Sequence, residues 1–82
     1  MVEVGWSDDF KNEIKKIRDN AVKEKIKKHI AKIVNNPEIG KPLRHDLKGE
    51  RAVYIKPYRL IYSVASDTIY ILRFEHRKDV YG

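Results

Sequence analysis

The chain has 82 residues, enough for one domain with one core and one site. It has no cysteine, which excludes disulfide frameworks and thiolate metal centres, and its 18 Lys and Arg against 12 Asp and Glu leave a formal charge of +6 that favours polyanions or an acidic protein partner. Met1-Val2-Glu3-Val4-Gly5-Trp6 shows no basic stretch followed by an apolar one, and no apolar run is long enough to cross a bilayer, so a soluble, cytoplasmic protein without a membrane partner is expected.

Val2 and Val4 around Glu3 predict a short first strand, and Ser7, Asp8 or Asp9 can cap a helix behind it by accepting orphan backbone N–H bonds. Phe10, Ile14 and Ile17 recur at helical spacing and predict a helix over residues 8–18. Asp19-Asn20 interrupts the pattern, and Val22, Ile26, Ile30 and Ile33 mark a second helix that runs to Asn35, with Lys23, Lys25, Lys27, Lys28 and Lys32 off its apolar stripe. Pro37, Gly40 and Pro42 predict an irregular stretch. From Arg51 the period changes to two, giving a strand to Pro57, another from Tyr58 to Ala65, a turn at Ser66-Asp67, and a last strand that returns antiparallel from Thr68. These pieces predict one domain over residues 1–82 of α+β class: a small, mostly antiparallel sheet with an N-terminal helical hairpin packed on one face, in the order β-α-α-β-β-β.

Residues 1–36 and 37–82 each carry nine basic and six acidic side chains, but eight of the first nine are Lys while five of the second nine are Arg. Arginine presents a planar fork that binds phosphate oxygens in pairs, which places the candidate site in the second part. If Leu60, Tyr62 and Val64 face the helices, then Arg59, Ile61 and Ser63 face away from them, together with Tyr54, Lys56, Arg73 and Arg77. On the last strand the same alternation sends Tyr70, Leu72 and Phe74 to the opposite face. A phosphodiester on this surface would meet Lys56, Arg59, Arg73 and Arg77, with Tyr54 and Tyr81 able to stack on a nucleotide or hydrogen-bond to it, and Arg51 and His76 complete the candidate RNA-binding set with Tyr54 and Arg73. Cleavage of RNA asks further for a base at the 2′-hydroxyl, an acid at the leaving 5′-oxygen, and fixed cations against the charge that grows on phosphorus. No cofactor or metal is called for, and His29 and His45 lack the spacing of a zinc site.

Leu47-Lys48-Gly49, Pro57-Tyr58-Arg59-Leu60-Ile61-Tyr62 and His76-Arg77-Lys78-Asp79-Val80-Tyr81, following a helical hairpin, resemble the RelE toxins of the RelE/ParE toxin–antitoxin superfamily. The resemblance implies a type II toxin that acts as a metal-independent, ribosome-dependent mRNA endonuclease. Its partners would be the ribosome, mRNA and a cognate RelB-like antitoxin. By position, Arg59 resembles the family's phosphate-contacting arginine, Arg77 its C-terminal catalytic arginine and Tyr81 the tyrosine after it. Lys56 is the nearest counterpart of the family's second-strand lysines, with Arg51 the other candidate. Glu75 stands where many relatives carry glycine, and a carboxylate there can orient Arg77, compete with phosphate or act as a base. The competing readings are a ParE-like toxin that inhibits DNA gyrase without nuclease residues, and surface salt bridges of Arg59 and Arg77 with Glu50, Glu75 or Asp79. Strand parity turns His76 towards the packed face, against a catalytic role.

Overall fold

A computed structural model describes residues 2–43, 49–76 and 78. Its elements are β1 (Glu3–Trp6), α1 (Asp8–Lys15), α2 (Asn20–Asn35), β2 (Lys41–Pro42), β3 (Glu50–Ile55), β4 (Tyr58–Ala65) and β5 (Thr68–His76). The strands form one sheet in the order β1-β5-β4-β3-β2, antiparallel throughout except that β1 runs parallel to β5. This is the expected α+β class and element order, with the two-residue β2 added inside the stretch read as irregular. Proline is tolerated there because β2 is an edge strand.

Ser7 has extended backbone and its Oγ accepts the Phe10 N–H at 3.0 Å, while Asp8 and Asp9 complement the positive end of α1. The same hydroxyl donates to the Leu72 carbonyl and so ties the start of α1 to β5. Regular helix ends at Lys15 rather than near residue 18, because the Lys16 and Ile17 N–H groups bond three residues back, to Glu13 and Ile14. Ile17 nevertheless keeps its place in the core. Asp19 caps α2 through the Ala21 N–H at 2.8 Å. Among the described residues no helix is long and apolar enough to cross a membrane.

The core lies between the helices and one face of the sheet: Phe10, Ile17, Ile26 and Ile33 against Ile55, Leu60, Tyr62, Ile69, Ile71 and Phe74. Trp6 stacks on Phe10 and Tyr58 stacks on Phe74, with ring centroids 5.5 Å and 4.6 Å apart. Tyr62 is 0% exposed, yet its hydroxyl is satisfied, accepting the Gly40 N–H at 2.9 Å and donating to the Pro37 carbonyl at 2.6 Å. A Cβ on Gly40 would stand 2.8 Å from the Tyr62 ring, so only glycine fits this close approach.

One irregularity reverses an expectation. Ile61 pairs with Arg73 but Tyr62 pairs with Ile71, so Leu72 has no partner in register. The extra residue inverts the side-chain parity of β5 on either side of it. Ile69 and Ile71 therefore enter the core with Phe74, and Tyr70, expected on the buried side, is 44% exposed.

Candidate nucleic-acid interface

Residues directly opposite each other in an antiparallel pair share a face, so the register assigns the surface turned away from the core row by row. One row runs Tyr54, Arg59, Glu75 across β3, β4 and β5; the next runs Ala52, Ile61, Arg73; the third begins with Glu50 and Ser63 and continues to Tyr70. Ile61 and Ala52 are buried although they belong to this face, and they form an apolar floor beneath the charged groups of the flanking positions. Tyr54, at one side of these rows, is 57% exposed, and Tyr70, at the other, has its ring against Gly5, where a Cβ would approach to 3.0 Å.

The face is basic in composition but not in balance. Arg73 donates from Nε to Glu75 Oε1 at 2.9 Å and from Nη2 to Glu50 Oε1 at 2.7 Å. Glu75 passes its second oxygen to Arg59, with Nη2 to Oε2 at 3.3 Å. Two guanidinium groups and two carboxylates thus form one neutral network, each side chain between about one fifth and one third exposed. Burial removes hydration from the Arg73 guanidinium and opposes its charge, but the bonds to Glu50 and Glu75 outweigh that and raise its pKa above the ordinary arginine value. Arg59 is less well served: among the described residues its Nε is a buried donor without a hydrogen-bond partner. A shallow cleft beside the network is lined by Asp9, Glu13, Arg73, Phe74 and Glu75, which brings two further carboxylates from α1 to its border.

The structure gathers Tyr54, Arg59 and Arg73 on one surface, as the alternation predicted, and leaves Lys56 exposed in the turn after β3. Arg51 is not among them. It pairs with Tyr62, so it lies on the opposite face, where its Nη1 donates to the carbonyls of Gly40 at 2.8 Å and Glu38 at 3.2 Å and holds the loop before β2. His76 pairs with Tyr58 on that same opposite face and meets its ring edge-on, with centroids 5.1 Å apart. Its Nδ1 accepts the Lys78 N–H at 3.0 Å, which puts the proton of the neutral ring on Nε2. Arg77 and Tyr81, with Leu47, Lys48, His45 and Asp79, lie outside the described residues. The residues that sequence reading missed here are Tyr70, hidden by the register shift, and Glu50 as a member of the site rather than a solvated neighbour.

The family model described as "ParE toxin of type II toxin-antitoxin system, parDE" matches residues 4–81. Among curated proteins, Toxin RelG of Mycobacterium tuberculosis is 42% identical over 45 residues, which amounts to 52% of this chain and 52% of that protein, so the alignment spans about half of that relative's length. Among solved structures, a YoeB/ParE toxin from Agrobacterium tumefaciens superposes with a TM-score of 0.82 at 20% identity, over 92% of this chain and 98% of that one. The toxin–antitoxin complex RelBE2 from Mycobacterium tuberculosis contains a chain that superposes with a TM-score of 0.78 at 25% identity, over 93% of this chain and 98% of that one.

Proposed function

The chain belongs to the ParE toxin family of type II toxin–antitoxin systems, within the RelE/ParE superfamily, and from that premise we propose that it is a ribosome-dependent mRNA endonuclease that stops translation. The observation that carries the reading is the row Tyr54–Arg59–Glu75 with Arg73 beside it, an arginine-bearing sheet face with an exposed aromatic side chain at its edge. In the proposed mechanism the bound message lays its phosphodiester over this face. Arg59 and Arg77 offset the charge that grows on phosphorus as the 2′-oxygen attacks. Proton transfer at the 2′-hydroxyl and at the leaving 5′-oxygen falls to Lys56 and Tyr81, with Tyr54 and Arg73 holding the adjoining nucleotides, while His76 packs on the opposite face and takes no part. Side-chain cations and acid–base groups complete this scheme. The similarity to Toxin RelG supports it.

The partners in this reading are the ribosome, its mRNA and a cognate antitoxin that covers the arginine face, in the cytoplasm. The RelBE2 complex, a relative bound to its antitoxin, supports the last of these. Primer extension on translated messages after induction tests the activity: cuts are expected with the wild type and strongly reduced with Arg59→Ala and Arg77→Ala. Intact messages, indistinguishable between wild type and variants, would overturn it. The family model's ParE description and the neutral balance of the network favour a second reading, inhibition of DNA gyrase through protein contact. Loss of supercoiling activity on adding the purified toxin, with messages left intact, would establish that reading instead.

A further inference from the structure

Resting on the RNA-face reading, we propose that Glu75 is a built-in stand-in for substrate phosphate, and that RNA binds by exchanging a phosphodiester for the Glu75 carboxylate on Arg59. The argument begins with the geometry of the fork. In arginine Nε–H and one Nη2–H point the same way and form the edge that takes two oxygens of a single anion. On Arg59 this edge is half filled: Nη2 holds Glu75 Oε2 at a long 3.3 Å, and Nε is buried without a partner among the described residues.

Glu75 cannot fill both positions, because its other oxygen is committed to Arg73 Nε at 2.9 Å. The carboxylate is stretched between two arginines and satisfies the nearer one. A phosphodiester is not so constrained. Its two non-bridging oxygens can take Nε and Nη2 of Arg59 together, which repairs the unpartnered donor that Glu75 leaves. Arg73 stays anchored by Glu50 at 2.7 Å after the exchange, so the displaced Glu75 remains paired with Arg73 and no charge is stranded. Glu75 therefore sets how tightly the face holds RNA: its carboxylate is the competitor that each incoming phosphate has to replace.

The test is the affinity of a short 2′-O-methyl oligoribonucleotide, which cannot be cut because its 2′-oxygen is capped, measured by fluorescence anisotropy over a range of KCl concentrations. Glu75→Gln keeps the shape and removes the charge. Glu75→Asp keeps the charge but is a methylene too short to span both arginines. Both are expected to bind more tightly than the wild type, Glu75→Gln by about two- to fivefold, since the one partly exposed ion pair that phosphate has to replace, Arg59 with Glu75, is worth a factor of that size. The log–log salt slope should differ by less than about 0.7, the value of one single-strand phosphate contact, because Arg59 meets the phosphate in both proteins. Arg59→Lys in the Glu75→Gln background should lose the gain, because lysine offers no fork. Glu24→Gln, the same charge change on the exposed surface of α2, should alter affinity less than twofold; melting curves confirm that each variant is folded. Measurable binding with equal affinity in wild type and Glu75→Gln, or weaker binding in the variant, would overturn the stand-in role while leaving the RNA face intact. No binding by the wild type or any variant at low salt would overturn the RNA-face reading and this inference with it.

Discussion

Removing one oxygen atom from the core should reveal how the loop between α2 and β2 is held. Tyr62→Phe leaves ring packing in place but deletes the hydroxyl that accepts the Gly40 N–H at 2.9 Å and donates to the Pro37 carbonyl at 2.6 Å. The Gly40 bond is buried, so its N–H loses its partner without gaining water, a cost of about 1–3 kcal/mol. The Pro37 carbonyl sits in a partly buried bond and can recover solvent, adding about 0.5–1 kcal/mol. The expected loss is therefore about 1.5–4 kcal/mol, against a total stability for 82 residues of about 4–12 kcal/mol. In a domain of this size each kcal/mol moves the melting temperature by about 4–8 °C, so a fall of about 6–30 °C is expected. Urea unfolding with an unchanged m-value should report the same difference. Gly40→Ala should also destabilise, by about 1–3 kcal/mol, since its Cβ would lie 2.8 Å from both the Tyr62 ring and its hydroxyl. The two changes should be less than additive because they share that contact. A loss under about 0.5 kcal/mol for Tyr62→Phe would refute the reasoning, because the hydroxyl would then not be the partner on which the loop depends.

Three other outcomes follow from the same structure. Arg51→Met should cost about 1–2 kcal/mol by chemical denaturation, through the lost bonds to the Gly40 and Glu38 carbonyls, and leave oligonucleotide affinity nearly unchanged; a large loss of affinity in a folded variant would return Arg51 to the RNA-binding set. Ser7→Ala should lower stability by about 1–2 kcal/mol, since one hydroxyl both caps α1 and bonds the Leu72 carbonyl, and amide exchange should show α1 opening before α2. Because the pKa of Arg73 is raised on folding, its contribution is fully present below the ordinary arginine value and is lost only as pH rises through the higher folded value. Stability between pH 6 and 9 should therefore be insensitive to its titration, and a midpoint in that range that vanished in Arg73→Met would contradict the assignment.

Much of the architecture is local and could be read locally. Ser7 and Asp19 announce the two helix starts, Phe10 to Ile33 give the buried stripe, and Ser66-Asp67 gives the last hairpin between Ala65 and Thr68. What failed did so where a local pattern meets a partner. The end of α1 tightened at Lys16 and Ile17, which their residue types do not announce. The short β2 exists only because Lys41 and Pro42 lie alongside Ala52 and Arg51.

The sequence by itself determined the fold class, the arginine-rich second part of the chain and the presence of Arg59 and Arg73 on one face, because these depend on period, caps and composition. The tertiary structure alone decided the rest of the candidate interface. Leu72 stands out of register and turns Tyr70 outwards, a parity change that no alternation along one strand can show. Arg51 lies on the other face, with Val53 and Ile55, as period-two alternation along β3 already implies, and only its bonds to the Gly40 and Glu38 carbonyls needed the fold. Glu50 and Glu75, 25 residues apart in the chain, converge on Arg73 and, with Arg59, make the network locally neutral although the chain as a whole carries +6. Net charge is a sum over residues, whereas the field at a site depends on which of them the fold makes neighbours.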